Sequence, residues 1–508
     1  MLDFADIGGA ISLLTSSYIA WIYLIPGLLI GLLFGAMPGI SITMAMAIFL
    51  PLTLYMDILP AIIFLTSIYT GAGFGGSVPA VLMNIPGTSS AVATTFDGYP
   101  MARQGRHNQA LGVALAASVL GTLSSYILLL FLIAPVSAVV LKLGPLEMFA
   151  VAVWGMLLLG SLAGRSVWRG LLAGVFGVLL GTVGMNTAGY VRGTMGVPWL
   201  LDGVPTIPAM MGLLAASQLL NLINTHYLIE DEADRKISFT KIIGGVKLAL
   251  TYPTIILRGA TIGVIVGAIP GVGSSISNLI SYSETKRNAP DGDTFGQGNP
   301  KGVIAAEAAN SSSEGGAMAT MLALGIPGGG ATAILLAAFA MHNIVGGPSF
   351  IANNKDIVYA IIFSNFAQAV LLLFIGLAFV YAASAVVRVP LRFLIPSVLV
   401  VSAFGSYAIE GALSGPITLV IFSVIGWAMV RYQYPVAAVV VGLLLGNLLE
   451  QNLIRTWQIS RGDIGYLFER PGAMLIFSLM FLSIGLTAVS RWRRKRRASA
   501  LTTEEIGS

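Results

Sequence analysis

Apolar runs long enough to sit in lipid alternate along this chain with short polar intervals. They cover roughly residues 18–36, 40–56, 58–83, 110–140, 145–163, 167–190 and 205–224. After a polar stretch they resume near 248–282, 302–325, 330–346, 357–386, 394–430, 434–450 and 472–490. A spanning helix needs about 20 residues, so some runs are full crossings and others are short or broken ones. The expectation is an all-α polytopic membrane protein with about 11 to 13 transmembrane segments, broken or re-entrant helices among them. Residues 1–225 would form a first half, 226–247 a polar linker, 248–490 a second half and 491–508 a basic cytoplasmic tail.

Composition strengthens that class. Of 508 residues, 56% are hydrophobic and only 10% charged, against about a quarter in soluble domains. The net charge of +5 owes much to Arg491-Trp492-Arg493-Arg494-Lys495-Arg496-Arg497, which directly follows the last apolar run. In that position the positive-inside rule makes it a cytoplasmic stop rather than a nucleic-acid site. With no cysteine, disulfides, thiolate metal sites and cysteine nucleophiles are excluded. Met1–Ser17 lacks the basic flank of a cleavable signal peptide, so the first apolar run is expected to remain as a helix.

Four Pro-Gly segments interrupt the apolar runs. They are Gly35-Ala36-Met37-Pro38-Gly39 and Asn84-Ile85-Pro86-Gly87-Thr88-Ser89-Ser90 in the first half. The second half has Gly267-Ala268-Ile269-Pro270-Gly271 and Gly325-Ile326-Pro327-Gly328-Gly329-Gly330-Ala331-Thr332. Pro38 and Pro270 are 232 positions apart, Pro86 and Pro327 are 241 apart, and an insertion within 288–301 would account for the difference. Paired breaks suggest two repeated halves, inverted in the expected arrangement, although a parallel repeat also fits. A break exposes N–H groups and the positive dipole end of the continuing helix, which can hold a carboxylate without a buried arginine. The residues placed to do this are Gly39, Ser41, Asn84, Pro86, Gly87, Thr88, Ser89, Ser90, Gly271, Ser274, Ser275, Gly328, Gly329, Gly330 and Thr332. The competing explanation is that small residues only allow tight helix crossing.

Glu307 and Glu314 lie seven apart and would share one face of a helix, with Asn310 between them. An intramembrane carboxylate is a candidate for coupling to a proton or sodium ion, and Glu307 with Asn310 is the expected pair. Glu314, ahead of Gly315-Gly316, reads as a helix end at the interface. Asp57, Glu147, Glu410 and Glu450 read as headgroup residues. Asp97-Gly98-Tyr99-Pro100 reads as a turn. The three histidines, His107, His226 and His342, have no metal-ligand spacing. Trp21, Trp199 and Trp492 read as interfacial anchors.

These segments resemble the large membrane subunit of tripartite tricarboxylate transporters, the TctA-type permease. The similarity runs through Gly35–Gly39, Leu50-Pro51-Leu52-Thr53, Gly75-Gly76-Ser77-Val78-Pro79, Asn84–Gly87 and Asp97–Arg103. It continues through Gly267–Gly271, Glu307-Ala308-Ala309-Asn310 and Leu324–Gly328. The resemblance implies a bacterial inner-membrane permease, a small four-helix membrane subunit and a periplasmic solute-binding protein. It also implies ion-coupled uptake of carboxylic acids such as citrate, with no cofactor beyond Na+ or H+. One departure stands at Ser311, where the family pattern often has a second asparagine.

Other classes fit less well. No Gly-Lys dipeptide occurs, so the chain lacks a phosphate loop. A membrane-embedded enzyme would need a metal cluster or an activated nucleophile. A channel or structural subunit remains the alternative, but a channel calls for a continuous polar path rather than paired mid-membrane breaks.

Overall fold

In the computed structural model the described residues are 4–37, 40–162, 167–186, 188–217, 238–270, 273–386, 391–463 and 465–482. They are almost wholly helical; the strands among them are Gly184–Met185 and Val191–Arg192, paired antiparallel in a short hairpin. Six helical stretches are long and apolar enough to cross a membrane: Tyr18–Gly35, Ile58–Met83, Ser89–Val140, Lys355–Ala382, Ser414–Arg431 and Val436–Ser460. A seventh is a bent pair, Phe239–Leu250 and Pro253–Gly267, which meet at 78°. The chain is therefore a polytopic helical membrane protein.

Glycine decides how these helices pack. Between apolar helices in lipid no hydrophobic force distinguishes neighbour from solvent, so close backbone approach supplies the attraction. Tyr18–Gly35 crosses Ile58–Gly75 with Gly31 against Ile68, Gly71 and Ala72, Gly35 against Ala72, and Gly75 against Leu32 and Ala36. Pro253–Gly267 crosses Pro300–Leu324 with Gly263 against Ala309 and Ser312, Gly267 against Ser313, and Gly316 against Val264 and Ala268. At each of these glycines a Cβ would collide with backbone of the facing helix. Val167–Gly181 lies parallel to Val436–Ser460 through Gly177, Gly181, Gly442 and Gly446.

The first and second parts of the chain are laced together. Phe239–Leu250 packs on His107–Val140 through Gly112 and Gly245. Phe4–Ser16 packs on Lys355–Val386, with Lys355 3.3 Å from Asp6. The Pro300–Leu324 helix occupies the centre, walled by Pro253–Gly267, His107–Val140, Gly273–Asn288 and Val92–Met101. It carries two glutamates, an asparagine and three serines, all buried, and so escapes a hydropathy criterion although most of its length is enclosed.

One element differs from the expectation. Asp97–Pro100 is not a turn but lies within the Val92–Met101 helix; the chain kinks later, at Gly105 with φ 75°. In the polar interval, residues 218–237 lie outside the described set, and the part that follows is the Phe239–Leu250 helix, which buries Ile242, Gly245 and Ala249 and leaves Thr240, Lys241 and Lys247 exposed. The basic run 491–497 also lies outside the described residues.

A Gly316→Val protein should lose about 1–3 kcal/mol or more, because its side chain meets fixed backbone at Val264 and Ala268. A Gly244→Ala protein, with nothing within 4 Å of the new methyl, should hold or gain stability. Thermal unfolding midpoints in detergent check both: a lowered midpoint for the first, an unchanged or raised one for the second.

Candidate functional site

Two helices end in the same way. Ser77–Met83 stops at Asn84 with φ 60°, and Pro300–Leu324 stops at Gly325 with φ 69°. A left-handed residue closes a helix, and a proline two positions later, here Pro86 and Pro327, prevents its resumption. The chain restarts at Ser89–Ala91 leading into Val92–Met101, and at Gly330–Met341.

Each of these breaks is pressed against the other break of its own half. A Cβ on Gly87 would strike the Gly35 carbonyl and stand 2.8 Å from Gly76 Cα. One on Gly328 would stand 2.9 Å from the Gly267 carbonyl and 2.7 Å from Ala317 Cβ. The halves then meet at the breaks. Gly330 abuts Thr43, at 2.5 Å from a built Cβ to Thr43 Oγ1, and the Asn278 side-chain amide donates to the Ser90 carbonyl. Thr43 lies in the helix that follows Pro38, and Asn278 in the helix that follows Pro270. The four interruptions thus close a ring, joined in turn within a half and between halves.

The ring sorts the expected binding residues. Gly87, Thr88, Ser90, Gly328 and Thr332 are buried within it; Pro86, Ser274, Gly329 and Gly330 are half-buried; Asn84 and Ser89 are exposed. Several polar groups are already engaged. The Ser41 hydroxyl accepts from Met44 N at 3.1 Å and so caps Ile42–Phe49. The Thr332 hydroxyl accepts from Gly329 N at 3.0 Å, Thr88 and Ser90 share a hydrogen bond of 2.9 Å, and Gly87 N donates to Gly76 O at 3.1 Å. The donors left for a ligand are first-turn amides, since helix starts have no intrahelical acceptor for them. Gly39 and Gly271 lie outside the described residues, as does the side chain of Ser275. Gly87 and Gly328 are needed for close approach rather than for unusual dihedrals, since the left-handed residues are Asn84 and Gly325.

The two carboxylates of Pro300–Leu324 are both buried, Glu307 at 0% and Glu314 at 2% exposure. Glu314 is thus no interfacial helix end; it accepts from Thr70 at 2.9 Å and Tyr126 at 2.8 Å. Glu307 accepts from Thr94 and, at 2.9 Å, from Ser118, while the Asn310 amide donates to Gly73 O at 3.1 Å. Thr94 stands in the first turn of the helix that restarts after the Asn84–Ser90 break. Glu147 and Glu450 are each paired with a basic side chain: Glu147 with Arg470 at 2.8 Å and Glu450 with Arg192.

Asp97 was missed as an organiser. Its carboxylate, 0% exposed, accepts from the amides of Gly296, Gly298 and Asn299 at 2.8–2.9 Å and from Tyr282 OH at 2.9 Å. A first-half acid therefore caps the entry to the central second-half helix, where an anion also suits the helix dipole. Beside it, hydrogen bonds from Lys301 and Asn299 hold the Asp291 carboxyl below the usual range. That contribution is present above the ordinary aspartate range and fades as pH falls through the lowered value, and exposure keeps it small. The sequence did carry a signal for the other hidden partners: Ser118, Thr122, Ser125 and Tyr126 fall on one face of an otherwise apolar helix.

A family model described as the tripartite tricarboxylate transporter TctA family matches residues 21–441. The chain belongs to this family. It is a membrane permease of secondary, ion-coupled uptake of tricarboxylates and related organic acids, and not an enzyme. An Agrobacterium vitis protein described as an uncharacterized 52.8 kDa protein in the TAR-I ttuC' 3' region is 32% identical over 487 residues, 95% of each chain. A second from that organism, described as an uncharacterized protein in the TAR-II ttuC' 3' region, is 28% identical over 234 residues, 46% of this chain and 97% of that one. No solved structure matches the permease. Among the described residues no group of three or more His, Asp or Glu side chains could hold a metal ion.

Replacing Asp97 by alanine strands three amides around Gly296–Asn299. Each hydrogen bond to a charged group is worth about 1.5–3 kcal/mol, so the variant should fold in much lower yield. Gel-filtration of the detergent-solubilised permease checks this: the expected trace shows aggregate, and a monodisperse wild-type peak would contradict the capping role.

Proposed function

We propose that the ring of four breaks is the substrate site, and that it grips a carboxylate through first-turn amides and nearby hydroxyls. The observation that carries the reading is closure of the ring: Gly87 on Gly35, Ser90 on Asn278, Gly328 on Gly267 and Gly330 on Thr43. The groups gathered there are Ser41, Asn84, Pro86, Gly87, Thr88, Ser89 and Ser90 from the first half. The second half brings Ser274, Gly328, Gly329, Gly330 and Thr332, and the neighbouring Gly39, Gly271 and Ser275 complete the two Pro-Gly segments. Helix starts supply partial positive charge without a basic side chain, so an acid can bind and also leave.

The two halves are read as structural repeats. Supporting this, the glycine contacts recur at fixed offsets: Gly31 on Ile68 becomes Gly263 on Ala309, Gly35 on Ala72 becomes Gly267 on Ser313, and Gly75 on Leu32 becomes Gly316 on Val264. The offset is 232 for the positions up to Pro270 and 241 for those from Ala309 on, which is compatible with an insertion within 288–301. We read the repeats as inverted and the total as 11 to 13 crossings, with the shorter apolar helices as half-spans. Residues 1–225 and 248–490 are the halves, and the basic end lies in the cytoplasm of a bacterial inner membrane.

Glu307 and Asn310 are assigned to ion coupling. The Glu307 carboxylate touches Thr94, in the first turn after the substrate break, so binding an ion there alters the helix that presents its amides. In operation a periplasmic solute-binding protein would deliver the acid, and a small four-helix membrane subunit would complete the complex. No group in the ring performs bond chemistry; the site holds and releases.

In proteoliposomes holding the three-component complex, Gly87→Val and Gly328→Val should each abolish citrate uptake while the protein still inserts. Transport at the wild-type rate in both would contradict the site. Glu307→Gln should change the dependence of uptake on sodium or pH, measured as initial rate against each gradient. An unchanged dependence would leave Glu307 a structural role.

A further inference from the structure

Glu314 is a buried acid for which the reading above has no use. It lies seven residues after Glu307 on the same helix, about 10 Å further along the axis at 1.5 Å per residue. The two acids have separate partners: Glu307 meets Thr94 and Ser118, Glu314 meets Thr70 and Tyr126. We propose that Glu314, with Thr70, Tyr126 and Gln368, is a proton-binding site of the permease, distinct from the Glu307 site.

Thr70 has too few hydrogens for its neighbours. Thr70 Oγ1 lies 2.9 and 3.1 Å from the two Glu314 oxygens and 3.3 Å from Gln368 Oε1. One hydroxyl hydrogen cannot serve both acceptors. A proton on Glu314 resolves the shortage: the acid donates to Thr70, and Thr70 donates to Gln368 Oε1. Gln368 Nε2 already donates to Thr66 at 2.9 Å, and Thr66 to Ile63 O at 3.1 Å, so the chain ends satisfied. When the proton leaves, Thr70 turns back to the carboxylate and a reversed Gln368 amide takes the vacated place. The network therefore has one complete arrangement for each protonation state.

The donors around Glu314 suit a proton. Tyr126 OH and Thr70 Oγ1 both contact Glu314 Oε1 directly, at 2.8 and 2.9 Å, so hydroxyl donors already occupy that oxygen. The titratable groups that face Glu314 are Tyr69 and Tyr126, with Glu307 two turns away on its own helix; the Lys355–Val386 helix brings the neutral Gln368. No cation pairs with Glu314 among the described residues, so its charge must be neutralised in place or solvated when the site opens.

That this proton moves with the substrate rests on the carrier reading; that it binds at Glu314 does not. The test is infrared difference spectroscopy of the purified full-length permease in lipid, recorded between acid and alkaline pH. Wild type and Glu307→Gln should show a titrating protonated-carboxyl C=O band, and Glu314→Gln should lose it. Thr70→Val, which keeps the acid but removes its partner, should shift the band. A wild type with no such band, a band that persists in Glu314→Gln, or a Thr70→Val spectrum identical to wild type would each overturn the assignment. A complex that fails to take up any organic acid would instead remove the carrier reading and leave the band unaffected.

Discussion

Main-chain groups freed inside a bilayer must find partners within the protein, and the rest of this structure follows from that demand. Among the described residues, each of the Pro-Gly interruptions of the permease has a residue packed against another interruption or the helix that follows it. What permits the enclosure is the absence of side chains at Gly35, Gly87, Gly267 and Gly328, where backbone lies against backbone. The same feature tolerates the breaks and, in the proposed site, leaves first-turn amides as the donors offered to a solute. On that proposal packing and binding are two consequences of one choice of residue.

The acids of the central helix follow a related logic. Glu307 and Glu314 accept hydrogen bonds from hydroxyls of first-half helices rather than from lysine or arginine. A basic partner would neutralise them permanently; hydroxyl partners do not, which suits the ion and proton sites proposed above. Salt bridges are placed elsewhere: Glu147–Arg470 ties down the start of Pro145–Leu162, and Glu450–Arg192 holds the short hairpin against Val436–Ser460. Asp97 joins the same design from the other side, holding the entry of the acid-bearing helix in register with the first half.

Much of this was legible in the chain, for reasons that can be named. Helix ends at Asn84 and Gly325 are announced by local chemistry, a left-handed residue followed by proline. Lipid-facing helices such as Tyr18–Gly35 follow from hydropathy. The Pro300–Leu324 helix does not, because its polar residues are paid back only by contacts with three other helices. Glu314 was misread for the same reason: Gly315-Gly316 resembles a helix end until the facing Ser125 and Val264 backbone are known to need that space. Asp97 looked like a turn because Gly98 and Pro100 flank it, and the amides it caps are about two hundred residues away. The ring itself could be suspected from paired motifs, but not its order, since alternation within and between halves is a tertiary fact.

The chain has no cysteine, so single cysteines can report on the ring without background labelling. The direct measurement is maleimide labelling at Thr43, Ser89, Ser274 and Gly329, one in each interruption, with and without citrate in the assembled complex. The account predicts that the substrate slows labelling at all four positions together. Labelling that ignores the substrate at all four, or protection confined to one half, would contradict a shared carboxylate site.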